Sequence, residues 1–403
     1  MAVTFSNPIT TAVDTALLLT EDKIGPRDGA GKTVVVAMSG GVDSAVSALI
    51  MRERGYRVVG MNLRLFNPGD AEHAANPCCG IPAMDDARAT CATIGVPFYA
   101  INMEGEFGEA VIDRFVNEYA EGRTPNPCLE CNRHVKFRHL VARARQLGAD
   151  CLATGHYARI EGGAPGEPFR LLRAVDDRKD QSYVLHTLDQ DQLSFIQFPL
   201  GRLTKPEVRK LARAFGLPVA DKEESQEICF VGKGSYADFV AKRRPDVTKP
   251  GVIIDESGAV LGEHKGLVHH TVGQRKGIGI AGPQPLYVLN IDTKQNRLMV
   301  GSKQRAVARQ VEADGISFTS EIWPDAPVEC RAMVRYRGQL NDVTVIPGPA
   351  GSGRATIRFN GAIEGLPIAS PGQAIVFYAG EEVLGGGTIR AVERATEIGD
   401  THG

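Results

Sequence analysis

Residues 39–44, with the sequence SGGVDS, bring two hydroxyls, a glycine pair and a carboxylate together in one short turn. Apolar runs at 34–38 and 45–50 flank the turn and predict a strand before it and a helix after it. Glycines let the backbone approach a ligand closely, and the unpaired N–H groups at a helix start attract anions. We therefore predict a phosphate site here. The carboxylate of Asp43 indicates either a magnesium ion beside the phosphates or a helix cap. The alternative is an ordinary strand-to-helix turn.

Three cysteines form the second candidate for chemistry. Cys128 and Cys131 make a CxxC pair in TPNPCLECN (124–132), and Cys229 lies in SQEICF (225–230). A helix is predicted from 135 onward, so Cys131 lies near a helix start with basic residues close by, a setting that favours the thiolate. With eight cysteines and no export signal, catalysis or metal binding is favoured over a disulfide scaffold. Packing is the preferred interpretation for Cys91, Cys151 and Cys330, and the pair Cys78 and Cys79 remains ambiguous.

Alternating strands and helices predict the framework that positions these groups. Predicted strands cover 34–38, 58–63, 98–102 and 151–154, and predicted helices cover 84–94, 138–147 and 205–215. This alternation is typical of an α/β fold with a doubly wound parallel sheet, in which ligands bind at the carboxyl ends of the strands. SGGVDS, Leu63 and Gly155 should therefore share one edge. His156 follows a strand end there, which favours a functional histidine over a core one.

Composition changes after residue 233, where glycines, prolines and short alternating strands predict a small β-rich unit and then a β-barrel. The predicted organisation is a poorly ordered extension (1–31), a catalytic domain (32–232), a central β-rich domain (233–305), a C-terminal β-barrel (306–395) and a tail (396–403). Net charge is −2, so bulk charge does not predict nucleic-acid binding. No apolar run predicts a membrane span, and the acidic residues near Leu17 argue against a signal peptide, so we expect a cytoplasmic protein.

Several motifs together carry a family resemblance. SGGVDS resembles the loop of the ATP pyrophosphatases, known as the PP-loop. RTPNP with CxxCN, ATGHYA (153–158), KDQSY (179–183), SQEICF and GQRKG (273–277) follow it in order, and the set resembles the tRNA-specific 2-thiouridylases from about 32 to about 390. The resemblance implies that ATP adenylates the O2 oxygen of the wobble uridine (position 34), that pyrophosphate leaves, and that sulfur then displaces AMP to give 2-thiouridine.

The same resemblance implies roles for individual residues. Cys229 matches the persulfide carrier and Cys131 the nucleophile, and the two could form a disulfide when sulfur is released. It implies ATP and Mg²⁺ as ligands, wobble-uridine tRNAs and a sulfur-donor relay protein as partners, and a monomer. The implied ATP-binding residues are Ala37, Met38, Ser39, Gly40, Gly41, Val42, Asp43, Ser44, Leu63 and Gly155. The implied tRNA-binding residues are Asn126, Pro127, Cys128, His156, Lys179, Asp180, Gln181, Arg335, Tyr336 and Gln373.

Cys128 departs from the family pattern, because many members have an Asp at this position, proposed as an acid or base. A thiol is no simple substitute, since its ordinary pKa is ~8.5 against ~3.9 for Asp. With Cys128 present, three thiols resemble the set that holds a 4Fe-4S cluster in related tRNA thiolases, one ligand short of the usual four. We favour the persulfide route and keep the cluster route, with Cys128, Cys131 and Cys229 as iron ligands, as the alternative.

Two other function classes compete with tRNA thiolation. A small-molecule PP-loop ligase, such as an argininosuccinate-type synthase, needs neither a thiol pair nor a β-rich RNA-gripping domain. A non-catalytic RNA-binding module would not need the SGGVDS loop or the key thiols. Release of pyrophosphate, measured with and without tRNA, discriminates among the three.

Overall fold

The computed structural model describes residues 17–65, 81–224, 228–231 and 234–395. By its contacts the chain forms two units. The first comprises Met1–Ala110 and Glu130–Gly232, and the second comprises Val111–Leu129 and Lys233–Gly403. Among the described residues, no helix combines the length and the apolar character that crossing a bilayer requires.

The first unit is built on a five-stranded sheet with the order β3-β2-β1-β4-β7, in which every pairing is parallel. Its strands are β1 (Thr33–Ala37), β2 (Arg57–Arg64), β3 (Phe98–Asn102), β4 (Cys151–Ala153) and β7 (Ile196–Gln197). Between β4 and β7, strands β5 (Ala158–Gly162) and β6 (Phe169–Arg173) form an antiparallel hairpin. The parallel, doubly wound α/β fold predicted from the sequence is confirmed.

Helices connect and cover these strands. They are α1 (Glu21–Ile24), α2 (Val42–Glu53), α3 (Ile81–Thr93), α4 (Glu104–Phe107), α7 (Phe137–Gln146), α8 (Gln190–Phe195) and α9 (Lys205–Ala214), with π-helical turns at Gly108–Asp113 and Cys131–Lys136. A 3-10 turn covers Ser182–Leu185. The β-branched run of β1 is fully buried at its centre, and α2 is buried from Val42 to Met51 apart from Asp43. The element that follows the SGGVDS turn is therefore a central core helix.

The order of the strands locates the ligand edge. β1 lies between β2 and β4, so the chain runs outward in one direction from β1 to β3 and later in the other direction through β4. In open parallel sheets, ligands bind outside the carboxyl ends of strands at such a switch point. The turn after β1 and Gly155 after β4 both lie at this point.

The segment just before β1 packs on the first unit. The sequence predicts a poorly ordered extension at 1–31; from residue 17 onward the structure describes this segment, and Leu18 and Ile24 are buried in the core of that unit. The guanidinium of Arg54 donates to Pro26 O (2.9 Å) and to Asp28 Oδ1 (2.8 Å). Burial of the two apolar side chains and the hydrogen bonds from Arg54 hold this segment in place, although its acidic residues suggest exposure to solvent.

The second unit contains a four-stranded sheet and a closed barrel. The sheet has the order β10-β11-β8-β9, from β8 (Gly251–Ile254), β9 (Val260–His264), β10 (Tyr287–Asp292) and β11 (Arg297–Gly301). The barrel has six antiparallel strands, β12 (Ala308–Phe318), β13 (Val328–Met333), β14 (Asn341–Pro347), β15 (Arg354–Phe359), β16 (Ala374–Ala379) and β17 (Glu382–Arg394), closed by pairing of β12 with β17. The helices of the second unit include α10 (Tyr236–Arg243) and α11 (Lys303–Ala306). Its 3-10 turns cover Pro245–Thr248, Leu267–His269 and Ile363–Gly365.

Residues 111–129 belong to the second unit, although the sequence analysis placed them inside the catalytic domain. This stretch holds α5 (Arg114–Ala120) and most of α6 (Pro127–Glu130). Tyr119 stacks on Tyr236 with ring centroids 4.6 Å apart. Thr124 N donates to Pro371 O (2.8 Å), and Gln373 Nε2 donates to Thr124 O (3.0 Å). The chain passes from one unit to the other at 110/111, 129/130 and 232/233.

Candidate active site

Hydrogen bonds of the serine hydroxyls fix the conformation of the SGGVDS turn. Ser44 Oγ donates to Gly41 O (3.0 Å) and accepts from Ser39 N (3.1 Å), and the two serine hydroxyls lie 3.2 Å apart. Gly40 has a φ of 74°, and a Cβ there would lie 2.0 Å from Ala83 O in α3. Only glycine fits that position, so the sharp turn into α2 depends on it.

Gly155 lies against the start of α2. A Cβ on Gly155 would lie 2.8 Å from Ser44 N and 2.9 Å from Asp43 C. Ser47 Oγ also spans the gap, with Asp43 O at 2.9 Å and Thr154 O at 3.5 Å. The carboxyl end of β4 therefore closes one side of the SGGVDS turn. On the other side, Asn62 Nδ2 donates to Met38 O (2.6 Å) from β2, one residue before the half-buried Leu63.

The carboxylate of Asp43 holds a buried ammonium group. Lys205 Nζ lies 2.7 Å from Asp43 Oδ1 and 2.8 Å from Oδ2, and the Tyr157 hydroxyl donates to Oδ1 (2.8 Å). Burial, and then the charge of Asp43, raises the pKa of Tyr157, so its hydroxyl stays a donor. Sequence reasoning missed Lys205, which sits at the start of an ordinary amphipathic helix.

Glu224 extends this cluster. Its carboxylate contacts Lys205 Nζ (2.7 Å) and Lys179 Nζ. Burial raises the pKa of Glu224, but hydrogen bonds from the two ammonium groups outweigh it and bring the pKa down to about 2. Two carboxylates and two ammonium groups thus alternate as Asp43, Lys205, Glu224 and Lys179. We call these four residues the charge cluster.

A second ammonium group approaches the turn. Lys222 Nζ donates to Gly40 O (2.9 Å) and to Asp86 Oδ2 (2.6 Å). This contact braces the glycine turn from α3 and from the segment that precedes Glu224.

In the first unit, the predicted tRNA-binding residues lie on two loops, and hydrogen bonds between Gln181 and Tyr157 join these loops. Gln181 Oε1 accepts from Tyr157 N (3.0 Å), and Gln181 N donates to Tyr157 O (2.9 Å). Asp180 is buried, and its carboxylate accepts from Arg173 Nε (3.2 Å) and Ser182 Oγ (2.9 Å). Asp180 and Gln181 thus shape the loop that presents their neighbours, and direct contact of either with tRNA stays a prediction.

His156 lies half-buried in the same loop. Its Nδ1 is 2.8 Å from Thr154 Oγ1, and its ring packs 5.6 Å from that of Phe137. Burial, followed by the charge of Lys136, lowers the pKa of His156 to about 3, so the ring is neutral at physiological pH. A neutral ring on an aromatic neighbour is suited to stacking or hydrogen bonding with a base.

Cys131 opens the π-helical turn Cys131–Lys136 and is 5% exposed. The next residue, Asn132, is also buried, and its Nδ2 donates to Val184 O (3.0 Å), which fixes the turn on the loop that follows Gln181. π-Helical turns occur frequently at functional sites. Cys229 is half-buried, and the neighbouring Phe230 packs edge-on against Phe107 with ring centroids 5.9 Å apart.

The second unit carries the remaining predicted residues. Asn126 Oδ1 accepts from Leu129 N (3.3 Å), Pro127 is buried, and Cys128 is exposed. Tyr336 is 37% exposed, and the guanidinium of Arg337 lies 5.2 Å from its ring centroid. Arg335 precedes this pair on an exposed turn. Gln373 uses its Nε2 to hold Thr124, as described above. Cys78, Cys79 and residues 225–227 lie outside the described residues.

The family resemblance implies two metal groups, Mg²⁺ and a 4Fe-4S cluster. Mg²⁺ is usually held by one or two carboxylates together with substrate phosphates, and Asp43 with the hydroxyls of Ser39 and Ser44 offers such a donor set. For a cluster, three thiolates must converge. Among the residues that the structure describes, no group of three or more His, Cys, Asp or Glu side chains could hold a metal ion. Asp43, together with the phosphates of ATP, is thus the residue that would hold magnesium.

Comparison with known proteins places the chain in a family. Three family profiles match consecutive parts: "tRNA methyl transferase HUP domain" at 32–233, "tRNA methyl transferase PRC-barrel domain" at 237–302 and "Aminomethyltransferase beta-barrel domain" at 302–389. A tRNA-specific 2-thiouridylase MnmA of Roseiflexus sp. is 45% identical over 372 residues, covering 88% of this chain and 98% of that relative. Its counterpart in Geobacter metallireducens is 47% identical over 369 residues, covering 90% and 98%.

Among solved structures, the U34-tRNA thiolase NcsA of Methanococcus maripaludis with its 4Fe-4S cluster matches at 16% identity and a TM-score of 0.34, covering 59% of this chain and 72% of that one.

Proposed function

The chain belongs to the family of tRNA-specific 2-thiouridylases, and from this membership we propose how its residues divide the work of tRNA 2-thiolation. The enzyme is a tRNA-uridine 2-sulfurtransferase that uses ATP to activate the wobble uridine. The observation that carries the proposal is the anion-binding turn at the switch point of the sheet, in the same unit as Cys131 and Cys229.

ATP binds at the turn, with its phosphates on the N–H groups and hydroxyls of residues 37–44. Gly155 and Leu63 line the adenosine side, because they lie at the carboxyl ends of the strands on either side of β1: Leu63 is the last residue but one of β2, and Gly155 follows β4 by two positions. Asp43, together with the substrate phosphates, would hold Mg²⁺, which would supply charge neutralisation. The hydroxyl of Tyr157 orients the carboxylate of Asp43.

Sulfur arrives as a persulfide on Cys229, handed over by a relay protein. The thiolate of Cys131, in the π-helical turn, attacks Sγ of Cys229, so that the Cys131–Cys229 disulfide forms and the outer sulfur of the persulfide leaves as hydrosulfide. Hydrosulfide then attacks the adenylated C2 and AMP leaves. Release of hydrosulfide close to the reacting carbon contributes by proximity, which is worth several kcal/mol. Cys128 is exposed and takes no essential part in this route.

The tRNA contacts both units. In the first unit His156 and Lys179 flank the site, with Asp180 and Gln181 shaping their loops. In the second, Asn126, Pro127, Cys128, Arg335, Tyr336 and Gln373 contact the tRNA. Flipping a base out of its stack costs a few kcal/mol, which an extended contact surface offsets. The enzyme works as a monomer in the cytoplasm.

Pyrophosphate release tests the proposal. The wild-type enzyme should release pyrophosphate from ATP only when wobble-uridine tRNA is present, and Asp43→Ala should lose this activity while keeping its fold. Release that is equally fast without tRNA would contradict the proposed reaction and point to a small-molecule ligase. Full activity in Asp43→Ala would contradict the placement of ATP.

A further inference from the structure

The anion-binding turn brings no cation of its own. Residues 37–44 read AMSGGVDS, and their one charged member is Asp43. In the commonest phosphate-binding loop, a lysine after the glycines reaches the β- and γ-phosphates. ATP carries about four negative charges, and the site must neutralise charge on the departing pyrophosphate.

Lys205 places an ammonium group at this turn from a distant part of the chain. Its Nζ contacts both oxygens of Asp43, which is the second residue of α2, although the two residues are 162 positions apart. The whole residue is 7% exposed. A buried charge is costly unless it is paired, so a buried ammonium at a ligand edge must be matched by a specific set of anions.

The position of Lys205 is fixed from its backbone outward. It is the first residue of α9, and its N–H donates to Asp176 Oδ2 (2.9 Å). Thr204 and Glu207 cap the same helix start. Nζ lies 5.9 Å from the ring centroid of Tyr157 and 2.7 Å from Glu224 Oε1. Glu224 thus remains as a partner for the ammonium when Asp43 turns to another cation.

We propose that Lys205 is a catalytic residue that binds the β- and γ-phosphates of ATP, its ammonium group exchanging Asp43 for phosphate oxygens while it stays in contact with Glu224. The inference rests on the proposed function and adds a residue to it. In the adenylation step, uracil O2 forms a bond to Pα, and the bond from Pα to the bridging oxygen breaks. That oxygen keeps the electron pair and leaves with pyrophosphate beside Lys205, while the proton on uracil N3 passes to solvent.

A purely structural role makes a different prediction. If Lys205 only neutralises Asp43 and Glu224, its loss should lower stability and weaken all nucleotides alike. Removing one carboxylate at the same time should then restore both properties. A phosphate ligand, in contrast, should affect only ligands that carry β- and γ-phosphates, whether or not the charges are balanced.

Equilibrium binding of magnesium pyrophosphate, a non-hydrolysable ATP analogue and AMP separates the two roles. The variants are Lys205→Met, the charge-balanced double variant Lys205→Met with Glu224→Gln, and the control Lys210→Met on the same helix. Thermal unfolding of each variant reports its folding.

We expect Kd for pyrophosphate and the ATP analogue to rise by about 10- to 100-fold in both Lys205 variants, the loss typical of a charged hydrogen bond. Kd for AMP should change by less than about threefold in the double variant, and Lys210→Met should match wild type for all three ligands. Equal weakening of AMP and ATP, or recovery of pyrophosphate binding in the double variant, would overturn the inference. A wild-type enzyme that binds no ATP would refute the proposed function itself, and the inference with it.

Discussion

Gly155→Ala tests whether β4 closes the nucleotide site. The added Cβ would lie 2.8 Å from Ser44 N and 2.9 Å from Asp43 C, and both are backbone atoms at the start of α2. Ordinary contact would require the helix start to retreat by about 0.6 Å. Overpacking of this kind costs roughly 1–3 kcal/mol of folding free energy, and a misplacement of about 1 Å at a catalytic centre costs on the order of 100-fold in rate.

We expect Gly155→Ala to lower the unfolding midpoint and to reduce tRNA-dependent pyrophosphate release by about tenfold or more. Denaturant unfolding and the release assay measure the two effects. Gly105→Ala is the matched control, because a Cβ at Gly105, in the same unit, would meet nothing within 4 Å. If Gly155→Ala behaved like Gly105→Ala in both assays, the close approach of β4 to the turn would have no functional weight and our geometric argument would fail.

Two further predictions concern Cys128 and the buried histidines. Cys128→Asp should keep or raise thiolation activity; loss of activity together with about four iron atoms per chain from anaerobically prepared protein would establish the cluster route instead. Burial lowers the pKa of His186 and of His270 to about 4, against about 6.5 in an unfolded chain, so their stabilising contribution is complete above pH 6.5 and is lost as the pH falls toward 4. Unfolding free energies should fall by about 2 kcal/mol per histidine between pH 7 and pH 5, and a His186→Gln variant with an unchanged pH slope would contradict this.

The local sequence predicted the structure correctly where an apolar run and the glycines that end it are adjacent. The β-branched run of β1, the glycine pair and the apolar helix that follows predicted the turn, and the observed strand, Thr33–Ala37, differs by one residue at each end. Gly155 was located by the same logic, since a glycine after a buried strand in a parallel sheet lies at the ligand edge.

Contacts between residues far apart in the chain could not be predicted from local sequence patterns. Lys205 stands in LTKPEV, a sequence typical of a capped surface helix, and its contact with Asp43 spans 162 positions. Asp180 illustrates the converse, because the KDQ motif identified the residue without indicating that its carboxylate is buried by Arg173 and Ser182. A motif predicts which residues function, and the packing of the chain then shows which protein groups those residues already bind.

The helix α5 at 114–120 was not among the predicted helices. Its aromatic partners, Tyr236 and Phe239, lie more than a hundred positions ahead in the chain. Acidic residues around Leu18 masked its burial in the same way, since apolar side chains at 18 and 24 are too few to predict packing.

Residues 111–129 belong to the second unit, although most of that unit is synthesised after residue 232. This order constrains folding during translation. Thr124 receives its hydrogen bond from Gln373, 249 positions later in the chain. At a synthesis rate of about 5–20 residues per second, Gln373 is synthesised roughly 12–50 s after Thr124. The first unit must therefore tolerate an unfinished loop just ahead of Cys131 during translation. A nascent chain stalled before residue 233 should show this stretch as its preferred site of protease cleavage.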